Sequence, residues 1–376
     1  MESMASIVTR QALLNDGREL FYFDDVDTQL PAERAVDARL LDARPANAVM
    51  RQDVLTGEWV SIAAARQNRV HLPSADADPL APATATNPSE IPDNYDVAVF
   101  ENRSPSFGPL LIDLADAGGI DELTSVGLGR SRTSVGRCEV VCFSPANTGS
   151  FADQTPSRAR TIVEAWAVRT EALSNMPGIA QVFPFENRGE AIGVTLHHPH
   201  GQIYAYPYVT PRTTALLNSI EKFGPGLFQS ILEFEQASER VLIRGEHFTA
   251  FVPFAARWPV EIHLLPHRHI PDLAATTPEE RDELALMYLR LLRGVDKLYD
   301  TPTPYISAWH QAPVNTGRDE IRLMLQITSP RRGQDRLKFL AGSESAMGAF
   351  IGDVPPETSA ALVRAAIATA DLENPL

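Results

Sequence analysis

The sequence predicts an α+β protein built on a mainly antiparallel sheet flanked by helices. Three observations carry this reading. Short strand-like runs outnumber helical stretches, they do not alternate with helices as repeated βαβ units would, and the order seen in the first half recurs in the second. At 376 residues the chain exceeds an ordinary single domain, so two lobes are expected, 1–209 and 210–376.

The first fifty residues are polar and mixed, and 73–92 is a proline- and alanine-rich loop. Strand-like runs lie between and after these stretches, at 59–63, 97–101, 139–143 and 180–185. A helix over 158–175 is predicted from Ile162, Val163, Trp166 and Leu173 at helical spacing. Two further strand-like runs, 191–198 and 202–209, flank a histidine cluster. The second lobe opens on a helical region at 215–237, followed by strand-like runs at 241–244, 247–254 and 260–265. Thr277-Pro278-Glu279-Glu280 supplies a cap, an N1 proline and a capping-box glutamate, so a helix starts there. Runs at 305–309 and 321–328 and a last helix over 357–370 complete the chain.

The net charge of −15 argues against nucleic-acid binding, because a phosphate polymer is repelled and no basic stripe offsets that. No run approaches the ~20 apolar residues of a membrane span and the start lacks a signal-peptide core, so no membrane partner is expected and the chain reads as cytoplasmic. Lysine occurs only at 222, 297 and 338. Cys138 and Cys142 sit on one face of a strand-like run and read as buried core thiols; two cysteines are too few for a disulfide framework or a four-cysteine metal site.

The chemistry concentrates in His198-Pro199-His200-Gly201-Gln202. In an extended segment, residues 198, 200, 202 and 204 share one face. A neutral imidazole there can attack a phosphoryl group and form a covalent phosphoramidate, while polar neighbours bind the phosphoryl oxygens. Taken bare, the string also suits packed histidines or metal ligands.

The longer string resembles the galactose-1-phosphate uridylyltransferases, a branch of the histidine-triad superfamily. The match is carried by Leu55-Thr56-Gly57-Glu58-Trp59-Val60, Arg66-Gln67-Asn68-Arg69, Val99-Phe100-Glu101-Asn102, Cys142-Phe143-Ser144-Pro145, Phe185-Glu186-Asn187-Arg188-Gly189, the histidine string itself, Trp309-His310-Gln311-Ala312-Pro313, and Lys338-Phe339 with Gly342-Ser343-Glu344. The resemblance implies two histidine-triad-like lobes. It also implies a ping-pong reaction in which UMP passes from UDP-glucose to galactose 1-phosphate, or a related sugar 1-phosphate, through a uridylyl-histidine. His200 falls on the nucleophile, with one ring nitrogen held by a backbone carbonyl expected at His198. Gln202 stands where histidine-triad hydrolases carry a third histidine, which favours transfer over hydrolysis. Phe100 and Asn102 match the uridine-contacting stretch, Arg66 and Arg69 a basic pair near the phosphates, and Asn187, Val194 and Thr195 the approach to the nucleophile strand. Lys338, Phe339 and Glu344 match a segment that in the family reaches the hexose of the neighbouring subunit's site, which implies a homodimer.

The family's metal ligands are largely missing. The cysteine pair of the first site falls on Asp78 and Ala81 and its first histidine on Asn147, leaving His198; at the second, His310 is kept, but the later histidines fall on Met324 and Gln326 and the glutamate near Leu216. No metal cofactor is therefore expected. A new site from His263, His267 and His269 is the weaker reading. Ser343 replaces an aromatic position in the hexose-contacting loop, which leaves the choice of sugar open, and a phosphorylase, a hydrolase or a binding-only paralogue are the competing functions.

Overall fold

A computed structural model describes residues 6–42, 44, 47–64, 67, 72–108 and 124–376. Its first half carries β1 (Val8–Leu13), β2 (Glu19–Asp24), β3 (Val49–Gln52), β4 (Trp59–Ile62), β5 (Val97–Glu101), β6 (Thr124–Val126), β7 (Gly129–Thr133), β8 (Arg137–Cys142), α1 (Pro156–Ser174), β9 (Gln181–Arg188) and β10 (His200–Tyr206). The second half carries α2 (Pro211–Phe223), α3 (Leu227–Gln236), β11 (Val241–Arg244), β12 (Phe248–Phe251), β13 (Val260–Pro266), α4 (Pro278–Asp296), β14 (Tyr305–His310) and β15 (Met324–Ser329), with α5 (Gly342–Met347) and α6 (Pro356–Glu373) at the end.

Eleven of the strands form one antiparallel sheet in the order β1-β2-β5-β8-β10-β9-β14-β15-β13-β12-β11, so the mixed α+β architecture holds. That order contains a repeat. β2-β5-β8-β10-β9 and β11-β12-β13-β15-β14 have the same connectivity, with the 19-residue helices α1 and α4 each placed after the third strand. The two copies meet where β9 pairs with β14. Phe185 pairs with Gln202 in the first copy and Ala308 with Gln326 in the second, and Phe185 and Ala308 face each other across the seam. Equivalent residues pairing with each other is what an internal two-fold requires.

One face of the sheet is packed by α1, α4 and α6. Trp166 of α1 and Trp309 of β14 lie 5.7 Å apart, with Phe151 and Tyr288 closing the cluster, so the core runs unbroken under both lobes. Full burial of each such ring is worth about 1.5–3 kcal/mol. Helix α4 starts where the sequence predicts, after Thr277, whereas α1 starts at Pro156, two residues ahead of the expected 158. Thr155 accepts from Arg158 N ahead of Pro156, and Thr277 and Glu280 form the reciprocal capping box.

Three expectations need correction. The polar opening holds β1 and β2; β1 is an edge strand with a largely exposed pattern, so its apolar alternation is weak, while Leu20-Phe21-Tyr22-Phe23 is buried on both faces. The helical region 215–237 is two helices, broken where Gly224 (φ 92°) and Gly226 (φ 89°) flank a proline. The run 191–198 is not a strand: between Gly189 (φ 100°) and Gly193 (φ 85°) the chain makes a single 3-10 turn over Glu190–Ile192 and then an irregular stretch.

Candidate active site

Strand β10 alternates half-exposed and buried residues from His200 to Tyr206. His200, Gln202, Tyr204 and Tyr206 therefore share the face away from α1, while Ile203 and Ala205 enter the core. Pairing fixes their neighbours: Cys142 stands opposite His200 on β8, and Val140 opposite Gln202. Gly201 lets the strand pack this closely, because a Cβ there would lie 2.9 Å from the Phe143 ring and 3.0 Å from the Phe185 carbonyl oxygen. A cavity of about 140 Å³ adjoins the strand's start, lined by His200, His198, Asn187, Arg188, Glu190 and Val194 among others.

His200 Nδ1 lies 2.7 Å from the His198 carbonyl oxygen. A carbonyl only accepts, so Nδ1 carries the hydrogen, and in the neutral ring the lone pair resides on Nε2. The chain thus fixes one tautomer of His200 from within its own strand lead-in.

The expected common face of His198, His200 and Gln202 is only partly formed. His198 sits in a bend before β10, is 3 % exposed, and turns its ring into a buried polar pocket. There Nδ1 donates to Asp78 Oδ2 at 2.6 Å, and Nε2 lies 2.8 Å from the Ser144 carbonyl oxygen and 2.9 Å from the Tyr95 hydroxyl. Burial raises the Asp78 carboxyl, but the His198 bond and charge hold it below the ordinary range. Proline at 199 and the Phe143 N–H, which donates to the Pro199 carbonyl at 3.0 Å, keep 198–199 out of the regular strand alternation.

Of the remaining positions, Asn187 on β9 lines the His200 cavity, as does Val194. The Thr195 carbonyl accepts from Leu72 N at 2.8 Å, tying the approach segment to the loop that carries Asp78. Phe100 lies in the same cross-strand row as Val140 and Gln202, but it is 3 % exposed and packed among Leu20, Tyr22 and Tyr95. Asn102 closes a turn by accepting from Ser104 N at 2.9 Å. Arg66 and Arg69 lie outside the described residues. Lys338 is buried, its ammonium donating to the Arg257 carbonyl at 3.1 Å and to the Ile351 carbonyl, with Glu344 at 3.9 Å. Phe339 is exposed. Lys338 and Phe339 line a different cavity of the same chain, beside Ala191 and Ile192. Tyr95 is the residue that the sequence did not single out; it comes from 103 positions upstream of His198 and has no local motif.

The family's metal groups do not fit the residues present. At the first site Asp78 and His198 are bonded to each other, Ala81 has no ligand atom, and the Asn147 amide donates to the Ala75 carbonyl. At the second, Gln326 accepts from His310 Nε2 at 3.0 Å and donates to Glu261 at 2.6 Å, while His263 Nε2 meets the same carboxylate at 3.0 Å. Burial drives the His310 pKa down to about 3, so that ring is neutral. His267 and His269 go elsewhere, to Thr249 and Glu246 and to the Ile321 carbonyl. Among the described residues no three His, Cys, Asp or Glu side chains are grouped to hold a metal ion.

The internal two-fold also shows what the second lobe lacks. Met324 opens β15 as His200 opens β10, and Gln326 corresponds to Gln202. A thioether cannot serve as the phosphoryl nucleophile that an imidazole can, and only the first copy carries an imidazole at this position.

The chain matches the description "Galactose-1-phosphate uridyl transferase, N-terminal domain" over residues 38–210 and the corresponding C-terminal domain over 212–365. It is 41 % identical over 372 residues to a galactose-1-phosphate uridylyltransferase of Streptomyces lividans, covering 93 % of this chain and 96 % of that one. It is 33 % identical to the Thermotoga maritima enzyme of the same name, covering 84 % and 97 %. A solved structure titled as a uridylyltransferase superposes with a TM-score of 0.74 at 30 % identity, covering 85 % of this chain and 99 % of that one. The chain belongs to the galactose-1-phosphate uridylyltransferase family.

Proposed function

We propose that the chain is a hexose-1-phosphate uridylyltransferase that moves UMP from UDP-glucose to galactose 1-phosphate, or to a related sugar 1-phosphate, through a uridylyl group carried on His200. The observation that supports this most is the His200 Nδ1 to His198 carbonyl bond, which leaves Nε2 as the nucleophile. Nε2 attacks the α-phosphorus, the N–P bond forms, and the bridging P–O bond breaks, its electrons leaving with glucose 1-phosphate. The ring then bears a positive charge that the His198 carbonyl dipole steadies. A phosphate oxygen of the second sugar 1-phosphate attacks the same phosphorus and returns the electron pair to Nε2, so no proton need be moved. Gln202, on the same strand face, donates its amide to the phosphoryl oxygens and offers no acid or base to water.

The same reading makes the enzyme metal-independent, cytoplasmic and dimeric, with the exposed Phe339 presented to the partner's site and the buried Lys338, beside Glu344, holding its segment in place. Isotope exchange tests the half-reaction. Labelled glucose 1-phosphate enters UDP-glucose in the absence of any second sugar if the uridylyl-enzyme exists. If exchange requires galactose 1-phosphate, a single-displacement route replaces this one.

A further inference from the structure

At the family's first metal site, the replacement Asp78 and the retained His198 form a hydrogen-bonded network with Tyr95. Asp78, Tyr95 and His198 are 5 %, 1 % and 3 % exposed, so water does not compete for their bonds. They come from three separate segments: the loop after Leu72, the turn before β5, and the lead-in to β10. The Tyr95 hydroxyl also lies 2.8 Å from the carbonyl oxygens of both Leu80 and Ser144, and Asp78 accepts from Leu80 N at 2.9 Å. The His198 ring is thus gripped at both nitrogens while its carbonyl meets His200 Nδ1.

We propose that Asp78 and Tyr95 are positioning residues that orient the His198 peptide, and through it the His200 ring, in the place where the resemblance puts a metal ion. The inference rests on the reading of His200 as the nucleophile. Its physical basis is rigidity. A ring held at Nδ1 by a carboxylate and at Nε2 by two oxygens cannot rotate, and its backbone carbonyl belongs to the same residue. Losing such a hold allows displacements on the scale that cost about 10²-fold in rate when a reacting group is misplaced by 1 Å.

The test compares wild type with Tyr95→Phe, which removes the hydroxyl at His198 Nε2, and Asp78→Asn, which removes the charge and one of the two acceptor oxygens shared by His198 Nδ1 and Leu80 N, both at nearly constant volume. Both variants are checked for folding by circular dichroism and thermal melting, and the turnover number and KM are then measured for each substrate. The expected result is a kcat lower by about 10- to 100-fold with each KM within about twofold, and a matching slowdown of His200 uridylylation in rapid-quench experiments. A purely structural role does not predict that split. A triple variant, Asp78→Cys with Ala81→Cys and Asn147→His, replaces the network by two thiolates and two imidazoles. It is expected to be nearly inactive in chelator and to recover to within about tenfold of wild type with zinc, while zinc leaves wild type unchanged. The proposal is overturned if folded Tyr95→Phe and Asp78→Asn retain kcat within twofold while His200 still takes up uridylyl. It is equally overturned if the triple variant binds zinc without recovering. Absence of uridylyl on wild-type His200 instead defeats the reading beneath it.

Discussion

At the scale of single residues, the role proposed for Gln202 in favouring transfer over hydrolysis can be tested directly. Gln202→Ala removes the amide donor from the strand face and is expected to lower kcat by about 10²-fold, read from initial rates at saturating substrates. Gln202→His restores an acid-base group beside the intermediate and is expected to raise the share of UMP over UDP-sugar product, measured by chromatography; an unchanged product ratio argues against the role given to glutamine. Glu186 offers a pH test away from the chemistry. It is fully enclosed, Tyr288 and Tyr305 donate to it at 2.9 and 2.8 Å, and burial raises its pKa to about 7. An acid with a raised native pKa binds its proton more tightly folded than unfolded, so stability is unaffected below about pH 4.5 and falls as pH rises from there to about 7, by a total on the order of 3 kcal/mol. Glu186→Gln is expected to flatten that decline in denaturant melts at pH 5, 6, 7 and 8; a wild-type slope in the variant contradicts it. At this scale the sequence was informative where contacts are local: the order His-Pro-His-Gly-Gln led to the expectation of a His198 carbonyl at the His200 ring, which the structure places 2.7 Å from Nδ1. It did not reveal Tyr95, because a tyrosine between Asn94 and Asp96 looks like any turn residue until the fold brings it to His198.

The element that matters most is β10, with its irregular lead-in. Alternation along 202–209 was legible because Ile203 and Ala205 are apolar and buried. The lead-in was not: Val194, Thr195 and Leu196 read as strand, whereas the positive φ of Gly189 and Gly193 and the bend at His198 break the alternation. That break is useful, since it turns the His198 ring away from His200 and its carbonyl toward it. Gly201 is the element's tightest point. Gly201→Ala is expected to cost about 1–3 kcal/mol of stability through contact with Phe143 and the Phe185 carbonyl, and to lower kcat by prising β10 from β9. Calorimetry and steady-state rates check the two parts, and a melting temperature equal to wild type counts against the packing argument. Helices α1 and α4 were the easiest elements to place, α1 from the helical spacing of Ile162, Val163, Trp166 and Leu173 and α4 from the cap spelled out by Thr277 with Glu280.

The molecule is built on one eleven-stranded sheet made of two related halves, with β4-β3-β7-β6 as a separate small sheet beside it. The recurring order of runs points to a duplication, but only strand pairing shows the two-fold between Phe185 and Ala308, because the halves share almost no local sequence signal beyond Gln202 and Gln326. Since Trp166 and Trp309 touch across the halves and the sheet is continuous at β9 and β14, the lobes are expected to unfold together. Tryptophan fluorescence and far-ultraviolet circular dichroism should give coincident denaturation curves, and two separated transitions would show independent lobes. The duplication also bears on catalysis, because Met324 occupies the position of His200 in the second half. The most direct measurement is therefore the stoichiometry and location of the covalent group, obtained by incubating the protein with labelled UDP-glucose, removing glucose 1-phosphate, and mapping the adduct by mass spectrometry. The account predicts one uridylyl group per chain, on His200, stable to base, released by mild acid, and transferable to galactose 1-phosphate. A protein that turns over without an adduct, or a His200→Gly variant that labels as fully as wild type, contradicts it.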